Sequence, residues 1–117
     1  MNLTMTARTP SEKARILDVE GEIDVYTSPE LKQKIVEYTE AGVKSLVINL
    51  SKVEYLDSTG LGVLIGGLKR LREASGNLSL VAPGMRILRI FEITGLDKIF
   101  DIYPSEEEAI AKEGVTP

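Results

Sequence analysis

The order of apolar and polar residues predicts a hairpin at the start of the chain, because two runs alternate with the period of two that half-buried strands show. Their inward-facing residues are Leu3, Met5 and Ala7 in the first run and Leu17, Val19 and Ile23 in the second. Residues 9–12 (TPSE) have the composition of a turn and separate the two runs. If the second strand runs unbroken, its outer face carries Asp18, Glu20, Glu22 and Asp24. A bulge at Gly21 would divide this acidic face, which is otherwise expected to be a solvated sheet surface.

Helical spacing replaces the alternation after residue 26. Thr27 and Glu30 have the spacing of a capping box, and Pro29 suits the first turn of a helix. The apolar residues at helical spacing are Leu31, Ile35 and Tyr38, with Val36 beside them. Residues 41–42 (AG) are a typical helix end. Residues 45–50 (SLVINL) form a nearly continuous apolar run, which predicts a buried central strand.

A second helix is predicted to begin at Ser58, after a loop at residues 51–57. Its apolar residues recur with the helical period and form one stripe, made of Leu61, Leu64, Ile65, Leu68 and Leu71. Residues 56–62 (LDSTGLG) bring two hydroxyl groups to the start of this helix. Both hydroxyl groups therefore lie at one junction between loop and helix.

The last third of the chain predicts two strands and two short helices. Residues 78–82 indicate a strand, and residues 85–93 indicate a helix closed by Gly95. Because that helix is almost wholly apolar, we expect most of it to be buried. Residues 99–102 indicate a final short strand.

A second capping box begins the last helix. Ser105 and Glu108 have the required spacing, and the acidic residues 106–108 suit the positive end of a helix dipole. Residues 114–117 are expected to be a frayed tail. The order of elements predicts an α/β fold in a single domain at residues 1–113, with a mixed, mostly parallel sheet, right-handed crossovers and about four helices.

Composition excludes several classes of function. The chain of 117 residues has no cysteine and no histidine, so disulfide bonds and a Ser-His-Asp triad are impossible within it. A net charge of −4 without a basic patch disfavours direct nucleic-acid binding. We expect no signal peptide, because the start of the chain is polar at Asn2, Thr4 and Thr6 and contains Arg8. We expect no membrane span, because no apolar run approaches the roughly 18 residues that a span needs. A carboxylate-only enzyme stays open, but a binding module that needs no cofactor and no metal is the simplest expectation.

Four glycines lie in or beside the central helix, at positions 60, 62, 66 and 67. Each interior glycine costs about 1 kcal/mol relative to alanine, so the group needs a reason. A P-loop is excluded because Leu68-Lys69 follows where Lys-Ser/Thr is required. A dinucleotide fingerprint lacks its third small residue, since Ile65 stands there, and seven residues separate Leu50 from Ser58. Close packing and a smooth docking surface remain.

The helical wheel favours a docking surface. With the leucine stripe facing the core, Ser58, Gly62 and Lys69 share one flank. A second row, Thr59, Val63, Gly66 and Arg70, faces further outward. Small residues and one valine leave this side of the helix with low relief, which suits close approach by another protein. Ordinary packing of the helix on the sheet explains part of the glycine content, but not a smooth outer face.

Ser58 has two compatible interpretations. Asp57, Ser58 and Thr59 are all good N-cap residues, and a cap contributes about 1 kcal/mol. A helix start also tolerates a phosphate, because free N–H groups and the helix dipole favour an anion there. Phosphorylation adds about −1.5 to −2 charges, so its main effect would fall on a docked partner.

Residues 55–64 (YLDSTGLGVL) resemble the signature of STAS domains, specifically of the bacterial anti-sigma factor antagonists. The resemblance extends to residues 21–24 (GEID), 47–51 (VINLS) and 91–96 (FEITGL), in the right order along nearly the whole chain. Asn49 departs from the aspartate that is frequent at its position. The fold that the resemblance implies is a mixed sheet with a β-α superhelical layout, which agrees with the order of elements.

The resemblance implies a cytoplasmic partner-switching module. In that family the unphosphorylated antagonist binds an anti-sigma factor, which is a serine kinase of the GHKL type, and so releases the sigma factor. The kinase inactivates the antagonist by phosphorylating the serine that matches Ser58, and a PP2C-type phosphatase restores it. Asp24 matches a family acid near this serine, Asp57 precedes it, and Thr59 is a minor alternative acceptor. The expected docking residues are Asp24, Asp57, Ser58, Thr59, Gly62, Val63 and Gly66.

Two rival functions remain for comparison. A phosphoaspartate receiver domain would need an acidic pair ending its first strand, a hydroxyl after a later strand and a lysine near the end. The strand at residues 78–82 runs directly into Pro83-Gly84, with no such hydroxyl or lysine appropriately placed. The other rival keeps the STAS fold as the scaffold of a stress-signalling complex or as an accessory subunit of a lipid transporter. The single predicted domain favours the simple antagonist.

Overall fold

The computed structural model describes residues 2–115 and contains one five-stranded sheet with helices on both faces. The strands are β1 (Leu3–Ser11), β2 (Ala14–Ile23), β3 (Ser45–Leu56), β4 (Asn77–Val81) and β5 (Asp101–Tyr103). The helices are α1 (Ser28–Glu40), α2 (Ser58–Glu73), α3 (Met85–Thr94) and α4 (Glu106–Glu113), with a short 3-10 helix at Leu96–Lys98. The predicted α/β class is confirmed.

The strands lie in the sheet in the order in which they occur along the chain, β1 to β5. β1 and β2 form the predicted antiparallel hairpin, and every later neighbour pairs in parallel. The carboxyl ends of β2 to β5 therefore meet at one edge of the sheet. That edge carries the start of α2, and with it Ser58.

Alternation along β3 divides the core into two layers. Leu46, Ile48 and Leu50 face the larger layer, which also holds the buried residues of α1, α2 and α3. Val47 faces the opposite layer, where Ala109 of α4 packs. Helix α2 thus lies over the larger core.

β3 is six residues longer than predicted. It continues to Leu56 because β2 remains paired with it as far as Ile23, through two register shifts. Val53 and Leu56 are buried along this extension. Only Asp57 separates the strand from α2, so the predicted loop at residues 51–57 is wrong. The length of that loop was one reason to exclude a dinucleotide site, and this reason no longer applies. The other reason stands, because Ile65 occupies the position where the fingerprint needs a small residue.

Two further local predictions are wrong. β1 continues through residues 9–11, and the turn lies at residues 12–13, because an edge strand tolerates Pro10. α3 buries only Ile87 and Phe91. Its Met85 is 80% exposed, since a short helix on a sheet turns only one side to the core.

The predicted frayed tail does not begin at residue 114. Gly114 ends α4 in the left-handed conformation, and the N–H of Val115 donates to the carbonyl oxygen of Ile110. Val115 is buried in the smaller core layer. Residues 116 and 117 lie outside the described part of the chain.

Among the helices at residues 2–115, none has both the length and the apolar character for crossing a bilayer.

The conditional acidic face of β2 is interrupted. Gly21 has φ of +112°, and the register with β3 shifts on its carboxyl side. Asp18 instead forms an ion pair with Arg8, which also binds Glu106 of α4 at 2.6 Å. Arg8 lowers the pKa of Glu106 through this hydrogen bond, against the opposing effect of burial.

Candidate functional site at the start of helix α2

Two chain segments meet at the carboxyl edge of the sheet, the β2–α1 loop and the β3–α2 junction. They are adjacent because β2 and β3 are neighbouring parallel strands whose last paired residues are Ile23 and Leu56. The N–H of Asp57 donates to the carbonyl oxygen of Ile23 at 3.1 Å and closes the contact. Residues that are 30 positions apart in sequence thus form one surface.

Asp57 is the N-cap of α2 and also holds the neighbouring loop. Its Oδ1 accepts a hydrogen bond from the N–H of Gly60 at 2.8 Å. Its Oδ2 accepts from the N–H of Val25 at 3.1 Å. Of the three candidate caps that the sequence offers, only this one caps the helix. Asp57 is half-buried and therefore contributes geometry more than contact surface.

Ser58 and Thr59 are the first two residues of α2, and both are exposed. Because Asp57 provides the cap, the helix does not depend on the hydroxyl of Ser58. Within residues 2–115, that hydroxyl forms no hydrogen bond with the protein. It is therefore accessible at a helix start that Asp57 already caps.

Asp24, which the sequence predicted to be a docking residue, is buried. It is 4% exposed. Its Oδ1 accepts hydrogen bonds from the N–H groups of Tyr26 at 2.9 Å and Thr27 at 3.0 Å. Burial raises the pKa of Asp24, but the hydrogen bonds from Thr27 and Tyr26 outweigh it and hold the pKa below its usual value. Asp24 therefore shapes the loop from inside.

Thr27 precedes α1 but does not form the predicted capping box. Its hydroxyl donates to the carbonyl oxygen of Glu22 at 2.7 Å and accepts from the N–H of Asp24 at 2.9 Å. Thr27 is already in helical geometry, with no hydrogen bond from its side chain to the helix. The side chain is used to fold the loop back on β2.

The loop presents two apolar side chains that the sequence analysis missed. Val25 is 54% exposed and Tyr26 is 78% exposed. Asp57 anchors the first through its N–H and Asp24 anchors the second. The signal was present in the sequence, because two apolar residues stand between a strand end and a helix start. Exposed aromatic residues are enriched at the centres of protein interfaces.

The four glycines of α2 fall into two pairs. Gly60 and Gly67 are buried, and a Cβ atom on Gly60 would stand 2.6 Å from Ile23 Cγ2. Gly62 and Gly66 are exposed, and a Cβ atom on either would meet nothing within 4 Å. Packing explains the first pair only. The second pair keeps the surface low beside Ser58.

A groove of about 330 Å³ lies between α1 and α2. Its lining includes Thr59, Gly62, Val63 and Gly66, four of the predicted docking residues. Val63 does not face straight outward as the helical wheel suggested; it is half-buried and packs against the core. Ile65, predicted to belong to the core stripe, is 39% exposed on the other side of the helix. The helix is thus rotated so that its second row faces α1.

Across residues 2–115, no three acidic side chains are grouped as a metal site requires. Ser58 also has no histidine to activate it as a nucleophile, because the chain contains none. The arrangement offers an accessible hydroxyl, an apolar loop and a shallow groove.

Comparison with known proteins assigns the family. The sequence profile of the STAS domain matches residues 5–109. The chain belongs to the STAS domain family. It is 38% identical over 110 residues to the anti-sigma-B factor antagonist of Bacillus subtilis, covering 94% of this chain and 99% of that protein.

Two solved structures of STAS domains agree with the fold. An anti-sigma factor antagonist from Mycobacterium paratuberculosis has a TM-score of 0.86 and 34% identity, with 97% of this chain and 95% of that chain covered. The Bacillus cell fate determinant SpoIIAA, solved in its phosphorylated form, has a TM-score of 0.75 and 22% identity, with 93% and 98% covered. At that identity the second likeness concerns the fold alone. The resemblance on which the sequence analysis relied is confirmed.

Proposed function

We propose that this STAS domain is an anti-sigma factor antagonist that phosphorylation of Ser58 switches off. The unphosphorylated domain binds an anti-sigma factor, which is a GHKL-type serine kinase, in the cytoplasm and releases the sigma factor. A PP2C-type phosphatase removes the phosphate. The observation that carries the proposal is an exposed Ser58 at a helix start that Asp57 already caps.

The names of relatives support the partner, and the geometry supports the switch. The relative from Bacillus subtilis is an anti-sigma-B factor antagonist. Thr59 is also exposed and is the alternative acceptor. Around Ser58, the proposed contact surface consists of the open positions Gly62 and Gly66 with Val63 between them.

A phosphate on Ser58 changes the interface without unfolding the domain. The first turn of α2 has free N–H groups and the positive end of the dipole, which favour an anion. A repulsive or desolvated charge at a protein interface costs several kcal/mol. Since 1.4 kcal/mol corresponds to a tenfold change in affinity, the phosphate is sufficient to release the partner.

The test is to incubate the domain with ATP and each GHKL-type kinase of the same genome, and to map the modified residue by mass spectrometry. We expect one kinase to phosphorylate Ser58 and to bind the unmodified domain. Ser58→Ala should abolish the modification and bind constitutively. Ser51→Ala is the matched control, because Ser51 is also exposed but lies on β3.

Three results would contradict the proposal. Stoichiometric phosphorylation of Ser58→Ala would move the acceptor to Thr59, which Thr59→Ala would then abolish. Capture of a transporter ATPase in place of a kinase would support the accessory-subunit function instead. Acyl-phosphate formation at Asp57 that depends on Mg²⁺ would support a receiver domain.

A further inference from the structure

The groove between α1 and α2 has a charge pattern of its own. Lys32 of α1 and Arg70 of α2 stand on its two sides. Its apolar lining is Ile35, Val36 and Val63, and the remaining lining residues are Thr59, Gly62, Gly66 and Gly67. No carboxylate lines it, although the chain has a net charge of −4. The groove is thus an apolar strip between two cations on an acidic protein.

Neither cation is used by the fold. Lys32 and Arg70 are both exposed, and within residues 2–115 neither forms a salt bridge or a hydrogen bond from its side chain. By contrast, Arg8 binds Asp18 and Glu106 on the other face of the sheet. Two unpaired cations that face one apolar groove have the charge to bind anionic groups there.

We infer that this groove receives a segment of the anti-sigma factor in which apolar side chains are flanked by carboxylates. The inference rests on the proposed function and specifies the chemistry of its partner. A volume of about 330 Å³ is at the lower end of ligand-sized pockets, so it accommodates a few side chains. The apolar groups would contact Val36 and Val63, and the carboxylates would pair with Lys32 and Arg70.

The position of Ser58 links this groove to the switch. Gly62, which lines the groove, lies one helical turn after Ser58 on the same side of α2. A phosphate on Ser58 adds about −1.5 to −2 charges close to the groove. It opposes an acidic segment directly and weakens the attraction of the two cations for it. The same modification would strengthen the binding of a basic segment. The direction in which phosphorylation changes the affinity therefore distinguishes an acidic from a basic segment.

Two matched pairs of substitutions test the inference. Lys32→Glu and Arg70→Glu reverse the charges that line the groove. Lys34→Glu on α1 and Lys112→Glu on α4 reverse exposed charges elsewhere, and neither residue lines the groove. Each substitution changes the net charge by the same amount, so effects of overall charge cancel within a pair. All four side chains are exposed, so the variants should fold.

The measurement is the Kd for the anti-sigma factor that binds in the phosphorylation test, taken by calorimetry with the full-length proteins. We expect each groove variant to weaken binding about tenfold or more, and each control variant to stay within about twofold. Circular dichroism of all four variants checks the fold. Higher salt should reduce the difference within each pair, because the ion pairs are near the surface.

The results separate this inference from the proposed function. Equal losses of affinity in the groove variant and its control would overturn binding in the groove, because overall charge alone would then explain both losses. Unchanged or tighter binding by Lys32→Glu and Arg70→Glu would overturn the proposal that the bound segment is acidic. In both cases phosphorylation of Ser58 and release of the partner would still support the antagonist. If no kinase binds the wild-type domain, the inference falls together with the proposed function.

Discussion

Two sets of residues in the first three turns of α2 have opposite surroundings. Asp57, Gly60 and Gly67 are in contact with the rest of the protein: the first caps the helix and holds a loop, and the two glycines pack where a Cβ atom would collide. Gly62 and Gly66 have open space around them, and Ser58 is exposed. The fold needs the first set and leaves the second available to a partner. Residue type alone does not separate them, because glycines belong to both.

The largest effect on stability is expected for Gly60→Ala. The new Cβ would stand 2.6 Å from Ile23 Cγ2 and 2.8 Å from the backbone oxygen of the same residue, which cannot rotate away. Overpacking costs about 1–3 kcal/mol, and we expect the free energy of unfolding to fall by about 2 kcal/mol. Urea denaturation measures it.

Gly67→Ala is the milder comparison for that substitution. Its Cβ would meet the flexible ends of Ile35 and Leu78 at 3.0 and 3.1 Å, so a smaller loss is expected. If Gly60→Ala were as stable as the wild-type domain, the buried glycines would not be required by packing.

Asp57→Ala should lower the free energy of unfolding by about 1–2 kcal/mol. It removes the N-cap of α2, which is typically worth about 1 kcal/mol, together with the acceptor for the N–H of Val25. Thermal denaturation measures the loss. Asp57→Asn keeps a side-chain oxygen and should recover part of it, whereas Ser58→Ala should change little. A loss at Ser58→Ala as large as at Asp57→Ala would place the cap at the serine.

Gly62→Ala and Gly66→Ala should each stabilise the domain, by up to about 1 kcal/mol. Alanine is the better helix former, and the new methyl group would meet no protein atom within 4 Å. Urea denaturation gives the gain. The same variants should bind the anti-sigma factor more weakly, since the methyl group enters the proposed contact. Stabilisation without any loss of binding would show that these glycines do not serve docking.

Ser58→Asp should have the smallest effect on stability, within about 0.5 kcal/mol, because the side chain is exposed. Its effect on binding should be large, with the Kd for the anti-sigma factor rising at least tenfold. Calorimetry gives the second value, and Ser58→Ala is the uncharged control. A large drop in the melting temperature of Ser58→Asp would mean that the serine is mainly structural.

Local patterns were sufficient for the order of elements but not for their ends. The alternation in β1 and β2 and the helical spacing in α1 and α2 are direct consequences of backbone geometry. The predicted end of β3 was wrong, because no apolar alternation continues through Glu54 and Tyr55. Pairing with β2 holds these two residues in the strand. The predicted capping box at Thr27 was wrong, because the Thr27 hydroxyl donates a hydrogen bond to the carbonyl oxygen of Glu22 instead.

Burial was harder to predict than secondary structure. Ile65 and Met85 are apolar and lie in correctly predicted helices, yet both are exposed. Asp24 is charged and was expected on the surface, yet it is buried. Two backbone N–H groups donate to its Oδ1, whereas its Oδ2 has no hydrogen-bond partner within residues 2–115. Each outcome depends on which side of an element meets its neighbour, and no local window contains that information.

The sequence by itself determined the α/β order, the family and the serine at the start of α2, because periodicity and the motif at residues 55–64 are local features. The tertiary structure decided which hydroxyl is free, which glycines are open and which cations face the groove. Those properties depend on the pairing of β2 with β3 and on the packing of α1 against α2. Both bring together residues about 30 positions apart, and only the folded chain fixes their relation.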